Sequence, residues 1–462
     1  MWVLVASGLL LARPNSGSSL TSAGGGAASV MEMSVLGMSI NPASAYTERF
    51  QLKMDLGMLA YRMFNQIEGP EQSIVEQRYG AVPDDWNPIS GEVSMSGAAP
   101  AGSLGLAFPL GPIAIGLETF APYGTGAMLD KQGAQRFFTT GGFLLFAEQD
   151  VIVSVPVSVN HNRFTFGAAF RSGMGVFSNS SASDTGLLIY QLTGEQEEEL
   201  ILDPLFEGTR KYGGSGLGFG YALGVHWENR YFSTHMAYRS PVTVPMEGRF
   251  ELLLSNAFTV QLAADLQVEM TFPAEAYLGV VVPMGKVKLM VETGWASWST
   301  QRYLRGVANN LELNSEDAFF QSVLEEYGLT TNELLTSDQS FLQDAGTQDS
   351  VFGEVAIGIK WTDKFTSQTG VKYSTSTVPI EYGSMSNTDY NTTNLRGVFR
   401  WRAWQKLSFI FSSDYMIRPK RVVKNSVYSI YNDSEEGLNG FSGNGEYKLD
   451  LLRFGLTFHV HL

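Results

Sequence analysis

His459 and His461 stand two residues apart in the closing stretch "LLRFGLTFHVHL", on one side of an extended chain. Two imidazoles on one strand face begin a transition-metal site. A stable site needs three or four ligands, and the chain has no cysteine to add. The acidic run "EQEEE" (195–199) reads as a solvated loop rather than a divalent-cation cage. "GGSGLGFG" (213–220) has glycines at phosphate-loop spacing, but no strand–turn–helix context follows to make a nucleotide cradle. No Ser-His-Asp set can be assembled. No metal, no cofactor and no catalytic residue is expected, and the protein is not expected to be an enzyme. What remains is Arg171, Arg396, Arg400 and Arg402, which alternation places on the polar faces of their segments. A guanidinium there would hold an anionic head group through charge-assisted hydrogen bonds.

The elements that would carry these residues are strands. In the closing stretch Leu452, Phe454, Leu456, Phe458, Val460 and Leu462 share one face, and Arg453, Gly455, Thr457, His459 and His461 the other. The same alternation runs through "RFTFGAAFR" (163–171), "FGYALGVHW" (219–227), "VFGEVAIGIKW" (351–361) and "NLRGVFRWR" (394–402). In each, one face is large and apolar, with aromatics near the strand ends. The other carries Gly, Thr, Arg and His, which is the pattern of a lipid-facing exterior around a polar lumen. Six short connections, near 110, 160, 229, 284, 363 and 404, alternate with seven long ones, roughly 65–95, 122–136, 176–215, 242–260, 300–350, 377–392 and 421–446. They join fourteen strands. The fold class is therefore all-β: a transmembrane 14-stranded antiparallel outer-membrane β-barrel, with an N-terminal hatch (plug) inside the lumen. The net charge of −15 argues against nucleic acid as a partner, and no apolar run reaches the length of a transmembrane helix.

The domain reading is threefold. Residues 1–18, with the apolar "WVLVASGLLLA", are expected to be a signal-peptide remnant and the start of the mature chain. Residues 19–48 form the hatch, and 49–462 the barrel. Met33, Leu36 and Met38 need burial, and the lumen is the space available to them. In the long loop 306–359, which has ten acidic residues and no Lys or Arg, Phe319, Phe320 and Val323 form an apolar stripe suited to capturing a hydrophobic ligand. Its acidity disfavours a carboxylate ligand and suits a neutral one.

Read in order, the small-residue N-terminal stretch with "NPA" (41–43), "LGLAFPLGPIAIGLETFAPYGTG" (104–126), "RFTFGAAFRSG" (163–173), "FPAEAYLGVVVP" (272–283), "ETGWASWS" (292–299) and "TGVKYSTSTVPIEY" (369–382) resemble the FadL family of outer-membrane transporters for long-chain fatty acids and other hydrophobic compounds. The resemblance covers nearly the whole chain. It implies passive uptake of a fatty acid or a neutral apolar compound across the bacterial outer membrane. It also implies lateral release into lipid through a wall opening at a kinked third strand. By the same resemblance Asn41, Pro42 and Ala43 match the hatch motif and Gly124 the kink, with hatch touching kink. Composition agrees that the strand is weak there, since Pro122 cannot donate to a ladder and Gly124, beyond Tyr123, loosens pairing. Arg171, Met33, Leu36, Met38, Phe319, Phe320 and Val323 are the candidate ligand-binding residues. The expected partners are a hydrophobic small molecule and outer-membrane lipid, with the barrel a monomer. The alternative function is a barrel of the same shape that serves export or surface attachment as an assembly partner.

Overall fold

The computed structural model describes residues 37–38, 40–67, 91–128, 140–159, 162–184, 207–254, 260–301, 303–314, 322, 340–344, 346–382, 389–424 and 445–462. The expected signal remnant, Met33, Leu36, and the loop residues Phe319, Phe320 and Val323 lie outside the described residues. Fourteen antiparallel strands form one closed sheet. They are β1 Gln51–Ile67, β2 Gly91–Leu110, β3 Ile113–Met128, β4 Gly141–Val159, β5 Asn162–Asp184 and β6 Glu207–Glu228. Four interrupted strands follow: β7 (Ser233–Arg239, Val242–Leu253), β8 (Gln261–Phe272, Glu275–Met284), β9 (Val287–Ala296, Tyr303–Asn314) and β10 (Ser340–Asp344, Ser350–Lys360). The circuit ends with β11 Phe365–Ser374, β12 Thr392–Trp404, β13 (Leu407–Ile417, Arg421–Val423) and β14 Gly445–His461.

The closing stretch lies beside the first strand. β14 pairs with β1 from Gln51↔His461 to Ile67↔Gly445, so the chain's last strand closes the sheet on its first. Closure satisfies backbone groups that hydrocarbon cannot, and leaves no free edge at the seam. The alternation falls as expected: Phe454 and Leu56 face outward and half exposed, while Lys53, Arg453, Thr457 and His459 are buried in the lumen. The strands reverse at the six expected short turns, which places both ends of the barrel sequence on the periplasmic side. Trp361, Trp401 and Trp404 stand on the lipid face along one arc of that side.

Several of the expected long loops are shorter than the sequence implies; in 176–215, strand runs on through Asp184 and resumes at Glu207. Residues 242–253 and 303–314 are strand, continuing β7 and β9 above a break. The breaks are level with one another. Arg239 pairs with Glu275, Glu275 with Ala296 and, next along, Ala296 with Ser350 just below them. Val242 pairs with Phe272, and Tyr303 with Asp344, just above. Local hydrogen bonds recover part of the lost ladder: Ser240 N–H donates to the Tyr221 carbonyl (2.8 Å), and Ala274 N–H to Ser297 Oγ (2.9 Å).

At this line the polarity of the sheet inverts. Below it Met236, Leu278 and Val291 face out, and His235, Glu275 and Glu292 face in. Above it Thr243, Glu247, Gln267 and Glu269 face out, and Val244, Met246, Leu252, Leu262 and Leu266 are buried inside. The lower storey is built for lipid outside; the upper storey is built for water outside and holds an apolar interior. The two storeys should answer differently to one added charge. Leu56→Arg, about five residues up from the periplasmic end and so near mid-bilayer, should cost about 2–4 kcal/mol. Gln267→Arg should stay within about 0.5 kcal/mol. Urea titration of folding into lipid vesicles measures both; equal costs would refute the two-storey assignment.

Candidate functional site

β2 and β3 leave their turn as partners and then separate. Their ladder runs from Leu110↔Ile113 to Ser103↔Phe120 and stops. Above it β2 keeps pairing with β1 as far as Gly91↔Ile67, and β3 keeps pairing with β4 as far as Met128↔Gly141. Among the described residues no pair joins Gly91–Gly102 to the upper half of β3. The departure coincides with a bulge: the β3–β4 register shifts between Phe120 and Tyr123, so that Ala121 and Pro122 together oppose Ala147. Proline's missing N–H makes it a natural occupant of such a bulge. The eight paired residues below the gap span about 26 Å of strand; at the usual tilt of about 40° that is roughly 20 Å of height. The gap therefore opens in the outer half of the bilayer.

Behind the bulge stands an aromatic cluster. The phase shift turns Tyr123 inward, where its ring stacks on Phe272 (5.4 Å between centroids) and Phe146 (6.1 Å) and meets the edge of Trp298 (5.4 Å). Phe146 and Phe272 stack at 3.8 Å. Four elements supply these rings: β3, β4, β8, and the short 3-10 helix Trp298–Gln301 that interrupts β9. The cluster continues upward through Val242, Val244, Met246 and Leu266 to Leu254 and Val260 at the outer hairpin, all buried. A packed apolar cluster thus runs from the outer rim to the wall gap.

Beneath it the lumen is ionic. Glu148 accepts from both Arg171 and Arg239. Arg239 also reaches Glu275 (3.3 Å), and Glu275 accepts from the Tyr123 hydroxyl (2.8 Å). Farther round, Lys53 donates to Glu118 (2.6 Å), His235 meets Glu292 (3.1 Å), and Arg396 lies between Glu354 (3.1 Å) and Asp414 (2.9 Å), which Arg453 also contacts. Such pairs are the physical condition for keeping charge in a dry interior. Tyr123 is the hinge between the two zones, with its ring in the apolar cluster and its hydroxyl on the ionic floor.

The residues singled out in the sequence are distributed between these zones. Pro122 and Tyr123 are at the gap. Gly124 is not the irregular position; it is back in the ladder, opposite Leu145. Arg171 is not free for a ligand head group, since Glu148 and the Ser240 carbonyl (2.6 Å) hold it. Arg396 is likewise engaged, while Arg402 is exposed at the periplasmic mouth. Asn41, Pro42 and Ala43 lie inside the barrel, but not against Pro122–Gly124. Asn41 caps the 3-10 turn Pro42–Ala45 by accepting from Ala43 N–H (2.9 Å), and its amide donates to the Val225 carbonyl of β6 (3.3 Å). The turn sits in a slot made by Gly167 and Gly224; a Cβ at either would overlap Pro42, Ala43 or Asn41. Gly167 is opposite Ser154, and Ser154 opposite Ala114, which puts the turn ten residues, about 33 Å of strand, from Gly124. The physical reason is the pair of glycines, which let backbone approach backbone on β5 and β6 and nowhere near the bulge. Met38 is buried beside Ala45, Ala107, Ile152, Ala169 and Ala222. Phe146, Phe272 and Trp298 escape a reading of the sequence by motif. For Phe146 the signal is an aromatic in the inward phase of a strand whose next inward residues, Glu148 and Asp150, are acids.

No family model and no curated protein matches this chain. Solved structures do match. A FadL homologue from Pseudomonas aeruginosa superposes with TM-score 0.69 at 15% identity, over 97% of this chain and 99% of that one. The toluene transporter TodX of Pseudomonas putida gives 0.60 at 11%, over 98% and 97%. The toluene transporter TbuX of Ralstonia pickettii gives 0.56 at 12%, over 93% and 94%. The chain has the FadL-type barrel fold. It is the fold of a bacterial outer-membrane barrel, and the apolar exterior of the lower storey is the surface that such a location requires.

The ionic floor makes a direct prediction. Glu148→Ala leaves Arg171 without its carboxylate and Arg239 with Glu275 alone, and should destabilise the barrel by about 3–5 kcal/mol. Glu148→Gln should cost less, since the amide oxygen still accepts. Urea unfolding followed by tryptophan fluorescence checks the order; a neutral Glu148→Ala would show that the floor does not hold the strands together.

Proposed function

We propose that the protein is an outer-membrane channel for the passive uptake of hydrophobic small molecules, and that it releases them sideways into the bilayer through the gap between β2 and β3. The observation that carries this reading is the unpaired wall at Ala121–Pro122 with the aromatic cluster immediately behind it. A bare strand edge in hydrocarbon is costly unless it borders a cavity or a transit route. Each CH₂ kept out of water is worth about 0.8 kcal/mol, so a lateral exit preserves what a periplasmic exit would forfeit. The way down is also unsuited to a greasy molecule. A cavity of about 450 Å³ at the periplasmic mouth is lined by Thr47, Arg49, Arg163, His226, Arg402 and His461. The turn Pro42–Ala45, buried above that mouth, acts as part of a hatch; it closes the axial route rather than touching the kink.

The substrate class follows from the same geometry. Arg171, Arg239 and Arg396 already hold carboxylates, and the lining from Val260 to Tyr123 offers rings and methyls. A neutral apolar compound with a flat ring suits the stacked Tyr123, Phe146 and Phe272 better than a fatty acid anion does. The named activities of the structural neighbours, toluene transporters among them, agree with that preference.

Deleting Pro122 tests the route. It removes the extra residue of the bulge, restores the β3–β4 register and lets β3 run straight beside β2. Uptake of a fluorescent hydrophobic tracer should fall about tenfold or more, with folding intact by heat-dependent gel migration. Wild-type uptake in this variant would eliminate the lateral route.

Tyr123→Phe and Tyr123→Ala test the cluster. The first keeps the ring and loses only the bond to Glu275, so toluene uptake should persist; the second removes the stack and should weaken it. Equal uptake by both variants would disconnect the rings from the ligand.

A further inference from the structure

The chain is strongly acidic overall, yet one arc of its periplasmic rim is basic. The arc covers three short turns that follow one another around the barrel, between β8 and β9, β10 and β11, and β12 and β13. Lys286, Lys288, Lys360, Lys364, Arg402 and Lys406 all stand exposed there. Lateral backbone bonds hold the turns in line: Lys360 N–H donates to the Lys286 carbonyl and Arg402 N–H to the Lys364 carbonyl, each at 2.8 Å. The acid within the arc is Asp363, 2.7 Å from Lys360. A hydrogen bond from Lys360, then the charge of that lysine, hold its carboxyl below the usual range, and Arg402 and Lys286 add to the effect. One carboxylate cannot neutralise six cations. Across the barrel, the turn at 111–112 with its flanks has no Lys or Arg, and the turn at 160–161 has Arg163 alone beside it.

The lipid side of the same arc is aromatic. Trp361 and Trp404 are 59% and 64% exposed, and Trp401 stacks between Phe365 (6.4 Å) and Phe409 (5.6 Å). Exposed tryptophans at this height mark the headgroup layer of the bilayer. The lysines beside them, on flexible four-carbon stems, are at the level of lipid phosphate. The turns themselves are too short to form a lobe that a folded protein would clasp.

We propose that this arc binds the phosphate groups of anionic phospholipids in the periplasmic leaflet, and so anchors one side of the barrel to a chosen set of lipids. The site is independent of the uptake route, which opens between β2 and β3, away from these turns. Each cation near an anionic surface contributes an attraction that salt screens, so the effect should be cumulative and salt-sensitive.

Native mass spectrometry of the barrel, equilibrated in detergent with equal amounts of phosphatidylglycerol and phosphatidylcholine of identical acyl chains, reads the proposal directly. Wild type should retain phosphatidylglycerol about tenfold over phosphatidylcholine. The variant Lys286→Gln/Lys360→Gln/Lys364→Gln/Lys406→Gln should lose the preference, and the four Lys→Arg replacements should keep it. Gel migration before and after heating reports that each variant is folded. Should the quadruple Gln variant not fold, the paired variant Lys364→Gln/Lys406→Gln should still lose part of the preference. Equal retention of the two lipids by wild type overturns the proposal, as does an unchanged preference in the folded Gln variants. Displacement of phosphatidylglycerol by millimolar inorganic phosphate would make this a free-anion site, and displacement by polyglutamate in preference to lipid would make it a protein-docking surface; either result also overturns it.

Discussion

Hydrocarbon offers no hydrogen bonds, and the rest of this molecule is arranged around that fact. The β1–β14 ladder exists because an open edge would leave a column of backbone groups unpaired in lipid. Once the sheet closes, the outward face of the lower storey must be predominantly apolar and its charged residues must turn inward. Charges turned inward then need partners, which is why Glu148, Arg171, Arg239 and Glu275 are found as a set rather than singly. Against such a background the parting of β2 from β3 stands out. It is a breach of the rule that shapes the whole, and it coincides with the bulge at Ala121–Pro122, beyond which β3 resumes its ladder with β4.

Above the aligned breaks in β7, β8, β9 and β10 the rule no longer applies, because water can pair with the outer face. The inversion there is as strict as the alternation below it. Val244 and Leu266 turn in; Thr243 and Gln267 turn out. The result is an apolar interior held by a polar shell, standing on a polar interior held by an apolar shell. Tyr123 is where the two interiors meet, and its position at the gap follows from the one-residue phase shift of the bulge.

Much of this was legible in the residues. Alternation, aromatic strand ends and short turns identify the barrel, its strand number and its closing strand. Upper strands were harder to read, because Thr243, Glu247, Asn309 and Glu312 look like loop residues when an outer-membrane strand is expected to be apolar outside. The bulge was half legible: Pro122 announces an irregularity, but only the β4 partner shows that Gly124 lies beyond it. The seat of Asn41–Ala43 was not legible at all. It depends on Gly167 and Gly224, far away in sequence, and a glycine in a barrel strand does not reveal what it is making room for.

The row of breaks has a consequence for how such a barrel can change over generations. Strands interrupted at one level form a seam, and residues on either side of a seam answer to different selective demands. Below it a substitution must satisfy the bilayer; above it a substitution need only keep the buried interior apolar. The upper storey can therefore be lengthened, repacked or exchanged without renegotiating the transmembrane ladder. Diversification of cargo would be expected to accumulate there first, with the lower storey inherited nearly intact.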